Sequence, residues 1–410
     1  MRTESYRQTS LDAILEKRAI ETHFQPVVSM RKKSVIGVEA LSRGLDPLTA
    51  AVIMPQVLFS LAAASGRVVD LDRLCREKAL ENFKHIRTTE DSLLLFLNLD
   101  ASIIDKGVVG SGHLIQSVEK MGLSPSSVVI EIIESRVDDI QALKTFIAAY
   151  RKYGFLIALD DIGNGHSNLD RIFHVRPDII KIDRCLVAEI DKDYYKQEVF
   201  KSLVGLAKKI GSLVVVEGVE TKEEALACLE FGADMLQGYY FAKPQPLPNV
   251  LQKGIGEKIN LIVADYMNAR IEHINAKLVK KQRYDNVLES VVRELSKLQP
   301  AHLEMKLREL AEEHDCLQSF YILDMAGLQI TDTIETPSET DEKRHGIFQA
   351  AFNGVDQSLK DYYVFICAGL DRHITEVYRS LANGKLCVTG SIVFKDCTDN
   401  RYILCVDFNP

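Results

Sequence analysis

No two of the eight cysteines stand at Cys-x-x-Cys spacing, and many lie in apolar runs, so the chain offers neither a zinc ribbon nor a disulfide framework. They are read as reduced, mostly buried thiols. No apolar stretch approaches the roughly 18 residues of a membrane span, and the opening Met1-Arg-Thr-Glu-Ser-Tyr-Arg-Gln-Thr-Ser10 has no leader-like apolar core. A cytoplasmic protein with no membrane partner is therefore expected. Basic excess is also missing: 50 Lys and Arg face 58 Asp and Glu, a net charge of −8, which speaks against a nucleic-acid partner and requires local cations for any anionic substrate. No G-x-G-x-x-G follows the first strand-like run, which weakens a dinucleotide-binding fold.

What remains is an ordinary globular composition, 46% apolar and 26% charged, which argues against long disorder. At 410 residues the chain exceeds what one core supports, so two or three domains are expected. Short β-branched runs recur at 24–28, 34–41, 93–99, 128–133, 155–159, 178–182 and 213–216. The segments between them repeat apolar residues at 3 and 4, as in 141–150 and 199–210. Such alternation predicts a TIM-like (β/α)8 barrel of the α/β class over residues 1–250, with an open doubly wound sheet as the alternative. Residues 251–300 read as a helical linker. Residues 301–410 read as a small α+β domain with an antiparallel sheet, its strands including 362–366, 385–389, 391–394 and 402–406, and an Asp-x-x-Gly hairpin turn after 320–324.

Asp160 and Asp161 stand where an apolar strand stops and glycines begin, at the carboxyl end at which α/β proteins do chemistry. Adjacent carboxylates repel, and a divalent cation is the usual remedy; a solvated polar loop is the bland reading. Other strand ends carry Glu39, Asn98, Glu131, Lys181 with Asp183, Glu217 and Gln237. A barrel brings all of these to one mouth. Oxygen donors without Cys or His suit Mg²⁺ or Mn²⁺ rather than zinc. Lys181, flanked by Ile180 and Ile182, points opposite to them and into the mouth.

The ordered series Phe24-Gln-Pro-Val27, Glu39-Ala-Leu-Ser-Arg43, Leu71-Asp72, Asn98-Leu, Glu131-Ile-Ile-Glu134, Asp160-Asp-Ile-Gly163, Lys181-Ile-Asp183, Glu217-Gly-Val-Glu220 and Gln237-Gly-Tyr239 resembles the EAL-domain family of bacterial cyclic di-GMP phosphodiesterases over roughly residues 20–245. The resemblance implies metal-dependent hydrolysis of cyclic di-GMP to the linear dinucleotide pGpG. It implies two ions, one on Glu39, Asn98, Glu131 and Asp160 and the other on Asp160, Asp161 and Glu217. Lys181 and Glu217 would act on the nucleophile, with Glu134 and Glu220 completing the catalytic set from behind; Glu134 anchors the loop after the Asp pair. Arg43 would grip a substrate phosphate with its forked guanidinium. Gln25, Leu41, Asp72, Asp183, Gln237 and Pro244 align with nucleotide-lining positions.

The loop departs from the family pattern. Relatives carry Asp-Asp-Phe-Gly-Thr-Gly-Tyr-Ser-Ser, whereas this chain has Ile162, Asn164, His166 and Asn168 at the changed places. The alternative to an enzyme is thus a cyclic di-GMP receptor with weak or no turnover, because catalysis depends on close positioning of Asp161. The terminal region resembles the PAS-like or Cache-like domain that a long helix joins to some stand-alone EAL proteins. That resemblance implies a regulatory or dimerisation domain, a homodimer, and an unknown ligand of the C-terminal domain.

Overall fold

The structure is a computed structural model that describes residues 11–87, 93–99, 112–133, 139–164, 170–246, 254–312, 317–336 and 347–410. It falls into two compact units, Met1–Arg270 and Ile271–Pro410.

The first unit is a closed eight-stranded barrel. Its strands are β1 Ile20–Ser29, β2 Ser34–Leu45, β4 Leu94–Leu99, β5 Val128–Ile133, β6 Leu156–Ile162, β7 Ile179–Ile182, β8 Leu213–Val216 and β9 Met235–Leu236, with the short β3 Val52–Ile53 on the free end of β2. Pairing runs β1-β9-β8-β7-β6-β5-β4-β2, and β1 closes the ring on β2. The strands from β2 to β9 are parallel in the barrel, but β1 is antiparallel to both neighbours. The reason lies in the chain: only four residues separate Ser29 from Ser34, too few for a crossover, so the connection is a hairpin.

The strands are legible from their β-branched content, and the helices from period and caps. Helix Ile140–Tyr153 buries Leu143, Phe146, Ile147 and Tyr150; Asp139 accepts from the amides of Gln141 and Ala142, and Gly154 ends it at φ 94°. Helix Lys222–Glu230 opens with a capping box of Thr221 and Glu224. Outward-facing residues such as Leu95, Ile130, Ile157, Ile180 and Val214 join Leu80, Phe83, Phe146 and Phe200 of the helices in the main core. Inward, Val27, Phe96, Val129, Ala158, Ile179, Val215 and Met235 fill the barrel floor as a separate apolar layer.

The long helix Gly254–Leu295 contributes Ile255, Ile259 and Ile262 to the barrel's core. Its Tyr284, Leu288, Val291 and Leu295 belong to the core of the second unit. There the sheet is antiparallel, ordered β11-β10-β15-β14-β12 with β13 also on β14: β10 Leu317–Asp324, β11 Ile334–Glu335, β12 Arg372–Ile374, β13 Tyr378–Arg379, β14 Leu386–Lys395 and β15 Arg401–Phe408. One face, with Phe320, Ile322, Leu404 and Val406, packs on those helical residues and on Leu303, Leu307 and Leu310. The other face, with Tyr321, Leu323, Ile403 and Cys405, is covered by helix Asp361–Cys367. The segment 362–366, expected as a strand, is this helix: Tyr362, Tyr363 and Ile366 are buried while Val364 and Phe365 are exposed, a helical and not a strand period. Runs 385–389 and 391–394 form one strand, β14. The Asp324–Gly327 turn is present, with Gly327 at φ 89° and its amide on the Asp324 carbonyl.

Candidate active site

Two residues beyond the apolar floor, each barrel strand or the residue just after it presents the next inward position. These are Gln25, Glu39, Asn98, Glu131, Asp160, Lys181, Glu217 and Gln237. One polar side chain from each of eight strands thus replaces the apolar layer, which is how a β period of two turns a packed barrel into a reactive mouth.

Lys181 is fully buried at the centre. Its Nζ pairs with Glu131 Oε1 at 2.5 Å, with Glu217 Oε1, with Asp160 Oδ1 at 3.3 Å and with Glu39 Oε2 at 3.6 Å. Around it an amide ring holds Glu39 in place. Asn98 Nδ2 donates to Glu39 Oε1 at 2.8 Å, and Gln237 Nε2 donates to Glu39 Oε2 at 2.6 Å and to Gln25 Oε1 at 3.1 Å. Gln25 in turn donates to the Ala242 carbonyl at 3.1 Å.

Asp160 and Asp161 should point to opposite faces if β6 stayed regular. Instead the β6–β7 register shifts between Leu159 and Ile162, and Asp161 lies in the left-handed region at φ 59°, which Asp tolerates better than most residues. The bulge turns both carboxylates toward Glu217. Gly163 completes it at φ 100°, where a Cβ would stand 2.3 Å from Leu186 Cδ1. A second close approach, Gly238 against the Val219 backbone, lets β9 lie beside the 217–220 turn, since a Cβ there would meet the Val219 carbonyl at 2.1 Å.

Carboxylate oxygens of Glu39, Glu131 and Glu217 come within 4.8 Å of one another, and so do those of Asp160, Asp161 and Glu217. Glu217 belongs to both trios. One ammonium serves a cluster of five carboxylates and pairs with four of them, and the protonation balance reflects the shortage. Burial, then Glu39, push the Glu131 carboxyl well above its ordinary value against the pull of Lys181. Burial, then Asp160, do the same to Glu217. Burial raises Asp160 to about 6 despite Lys181. At Glu39 burial is outweighed by Lys181 and the two amide donors, so it stays below the usual range. The four acids hold Lys181 charged far above its normal pKa, although burial opposes it. Apart from the Lys181 ammonium on Oε1, the buried oxygens of Glu131 have no hydrogen-bond donor. Such orphaned acceptors in an all-oxygen set fit a hard divalent cation.

The other expected residues lie around this centre. Arg43 is half-buried with Nη1 on the Ser42 carbonyl at 2.9 Å. Leu41 and Asp72 line a cavity of about 260 Å³ that also touches Glu39 and Asn98. Pro244 precedes Gln245, whose backbone pairs with Phe24 beside Gln25. Asp183 does not join the acids: its Oδ1 caps helix Arg184–Val187 through the Cys185 amide at 2.8 Å. Glu220 pairs with Arg184 at 2.8 Å, also away from the acids. Glu134, His166 and Asn168 lie outside the described residues. Arg76, missed in the sequence, lines the same cavity; its one signal is its place four residues after Asp72 on helix Val68–Arg87.

Residues 7–244 match the EAL domain family. The chain is 28% identical over 331 residues, 79% of either protein, to the uncharacterized EAL-domain containing protein YkuI of Bacillus subtilis. The crystal structure of YkuI in complex with c-di-GMP and calcium shares the fold over 98% of this chain and 99% of that one, with a TM-score of 0.81 at 23% identity. Cyclic di-GMP phosphodiesterase NbdA of Pseudomonas aeruginosa is 26% identical over 246 residues, 60% of this chain but 31% of NbdA. Klebsiella pneumoniae BlrP1, in a manganese/cyclic di-GMP complex, has a TM-score of 0.51 at 30% identity over 55% of this chain and 56% of BlrP1. With well over half its length inside the family's match, the chain belongs to the EAL domain family.

Proposed function

We propose that the chain is a divalent-cation-dependent phosphodiesterase that opens cyclic di-GMP to linear pGpG. The observation that carries this reading is the pair of carboxylate trios sharing Glu217 around a buried lysine. Glu39, Asn98, Glu131 and Asp160 would hold one Mg²⁺ or Mn²⁺, and Asp160, Asp161 and Glu217 a second. Bound there, such ions would acidify water and neutralise charge on the phosphoryl oxygens. Lys181, which contacts four of these acids, would orient the attacking water and stabilise negative charge as it develops. Glu217 would take the water's proton. Arg43 would bind a non-bridging phosphate oxygen, and Gln25 and Gln237 would keep Glu39 oriented. Homologues named as cyclic di-GMP phosphodiesterases support the substrate class.

The test is incubation with cyclic di-GMP and Mn²⁺, with and without EDTA, following the linear dinucleotide by chromatography. Mn²⁺-dependent appearance of pGpG is expected. Tight binding with no product would instead favour the receptor reading, for which the altered loop argues: Ile162 is wholly buried in the barrel core where relatives place Phe. We further read the protein as cytoplasmic and homodimeric, with the C-terminal unit a PAS-like regulatory or dimerisation domain open to a ligand of its own. Among the described residues no helix is long and apolar enough to cross a membrane.

A further inference from the structure

Beside the carboxylates, the 260 Å³ cavity is walled by the apolar Leu41, Phe59 and Leu97. It is smaller than the roughly 300–1,000 Å³ that houses a drug-sized ligand, so it suits one ring system and not a whole dinucleotide. Its floor holds an ion pair: Arg76 Nη2 with Asp72 Oδ2, on one helix turn, Arg76 8% and Asp72 2% exposed. A pair so deeply buried loses about as much in desolvation as it gains in attraction, so stability alone is a weak reason for it. Arg76 Nε is buried too and has no acceptor. A buried guanidinium with one edge held by a carboxylate and another donor unused is set to receive an acceptor-rich partner.

We propose that Arg76 is a specificity-determining residue that reads the guanine base of the substrate, a role that rests on the cyclic di-GMP reading above. Guanine presents two adjacent acceptors, O6 and N7, which match the arginine fork; adenine at the same edge replaces O6 with an amino donor. The apolar walls take the faces of the ring. Asp72 holds the guanidinium and is thereby held itself.

The experiment uses the full chain with Ca²⁺ and measures calorimetric binding of cyclic di-GMP, cyclic di-IMP and cyclic di-AMP. Inosine keeps O6 and N7, so the wild type should bind the first two far better than the third. Arg76→Leu should weaken both favoured ligands roughly tenfold or more and compress the preference over cyclic di-AMP. Arg76→Lys, which keeps a charge without the fork, should lose most of the same discrimination. Because Arg76→Leu strands Asp72, the double variant Asp72→Asn/Arg76→Gln, which keeps a neutral hydrogen-bonded pair, guards against loss of fold and should show the same compressed preference. Mn²⁺ affinity should be unchanged in all three. Unaltered base preference in folded variants overturns the inference alone, as does a parallel fall in Mn²⁺ affinity, which would place the effect in the metal centre. A wild type that binds no cyclic di-GMP overturns the functional reading along with it.

Discussion

The barrel and the C-terminal sheet both bury carboxylates at the centre of a β surface, and they meet the electrostatic problem differently. In the barrel, Glu39, Glu131, Asp160 and Glu217 all converge on one lysine, and beyond that shared ammonium the buried Glu131 carboxylate has no hydrogen-bond donor. In the sheet, Asp407 is 3% exposed and takes a hydroxyl on each oxygen, Ser319 Oγ on Oδ2 at 2.7 Å and Thr389 Oγ1 on Oδ1 at 2.5 Å, with no ion pair among the described residues. Neutral donors satisfy a lone carboxyl locally, as a structural polar group requires. The barrel cluster is left short of both donors and positive charge, a state that stability alone would not select. The difference separates a polar core from a site built for a cation.

The sharpest way to break this contrast is to neutralise a barrel acid. Glu131→Gln should cut hydrolysis by at least about 10²-fold, the scale that displacement of one reacting group brings. Its thermal stability in EDTA should hold or rise, because a buried group that resists ionisation has been replaced by a neutral one. A large fall in Tm with activity retained would make the cluster structural, like Asp407. Removing the cation is expected to do the reverse. Lys181→Met leaves the acids unopposed and should cost about 3–5 kcal/mol in EDTA at neutral pH. Mn²⁺ should restore much of that loss while turnover stays abolished. Urea unfolding with and without the metal reads both.

The pH dependence sharpens the same point. Burial lifts Asp160 to about 6, well above an unfolded Asp. A raised carboxyl pKa favours the protonated native state, so this contribution to stability is present at low pH and fades as pH rises from about 4 through 6. Metal reverses the preference by binding the ionised form. Mn²⁺ should therefore release protons on binding near pH 6 and bind more tightly at pH 7.5 than at pH 5.5. Calorimetry in buffers of different ionisation heat measures the release; none at pH 6 would remove Asp160 from the metal-binding set.

Much of this site was legible because a period of two needs no tertiary information: Phe96 to Asn98, Val129 to Glu131 and Ile179 to Lys181 follow from strand geometry once a barrel is assumed. What escaped did so for physical reasons. The two-residue β9 is too short to carry a pattern, so only Gln237 marked it. The antiparallel sense of β1 lay in the loop length and not in strand composition. The run Tyr362-Tyr-Val-Phe-Ile366 is rich in residues that favour strands, and five residues cannot separate a strand from a buried helix; packing against Tyr321 and Ile403 decided it. The shared reach of Asp160 and Asp161 depends on a bulge, which breaks the very alternation used to read the strands. Arg76 lies on a helix where a lone i,i+4 pair with Asp72 looks like any surface ion pair, and burial alone distinguishes it.

The smallest expected effect belongs to the other side of the comparison. Burial pushes the Asp407 carboxyl above its usual range although Thr389 and Ser319 pull it down. Its contribution therefore favours the protonated native state, is complete below the unfolded carboxyl value and is lost as pH rises through the folded one. Asp407→Asn keeps one acceptor and adds a donor, and both facing hydroxyls can rotate to accept or donate. The variant should thus lie within about 1 kcal/mol of wild type at neutral pH and show a flatter dependence of stability on pH above 4. Hydrolysis and Mn²⁺ affinity should not change. Thermal unfolding across pH 4.5 to 7.5 in EDTA is the measurement. A loss beyond about 3 kcal/mol at pH 7 would mean that an ionised Asp407 is needed after all. The C-terminal sheet would then hold a charge awaiting a partner, as the barrel does.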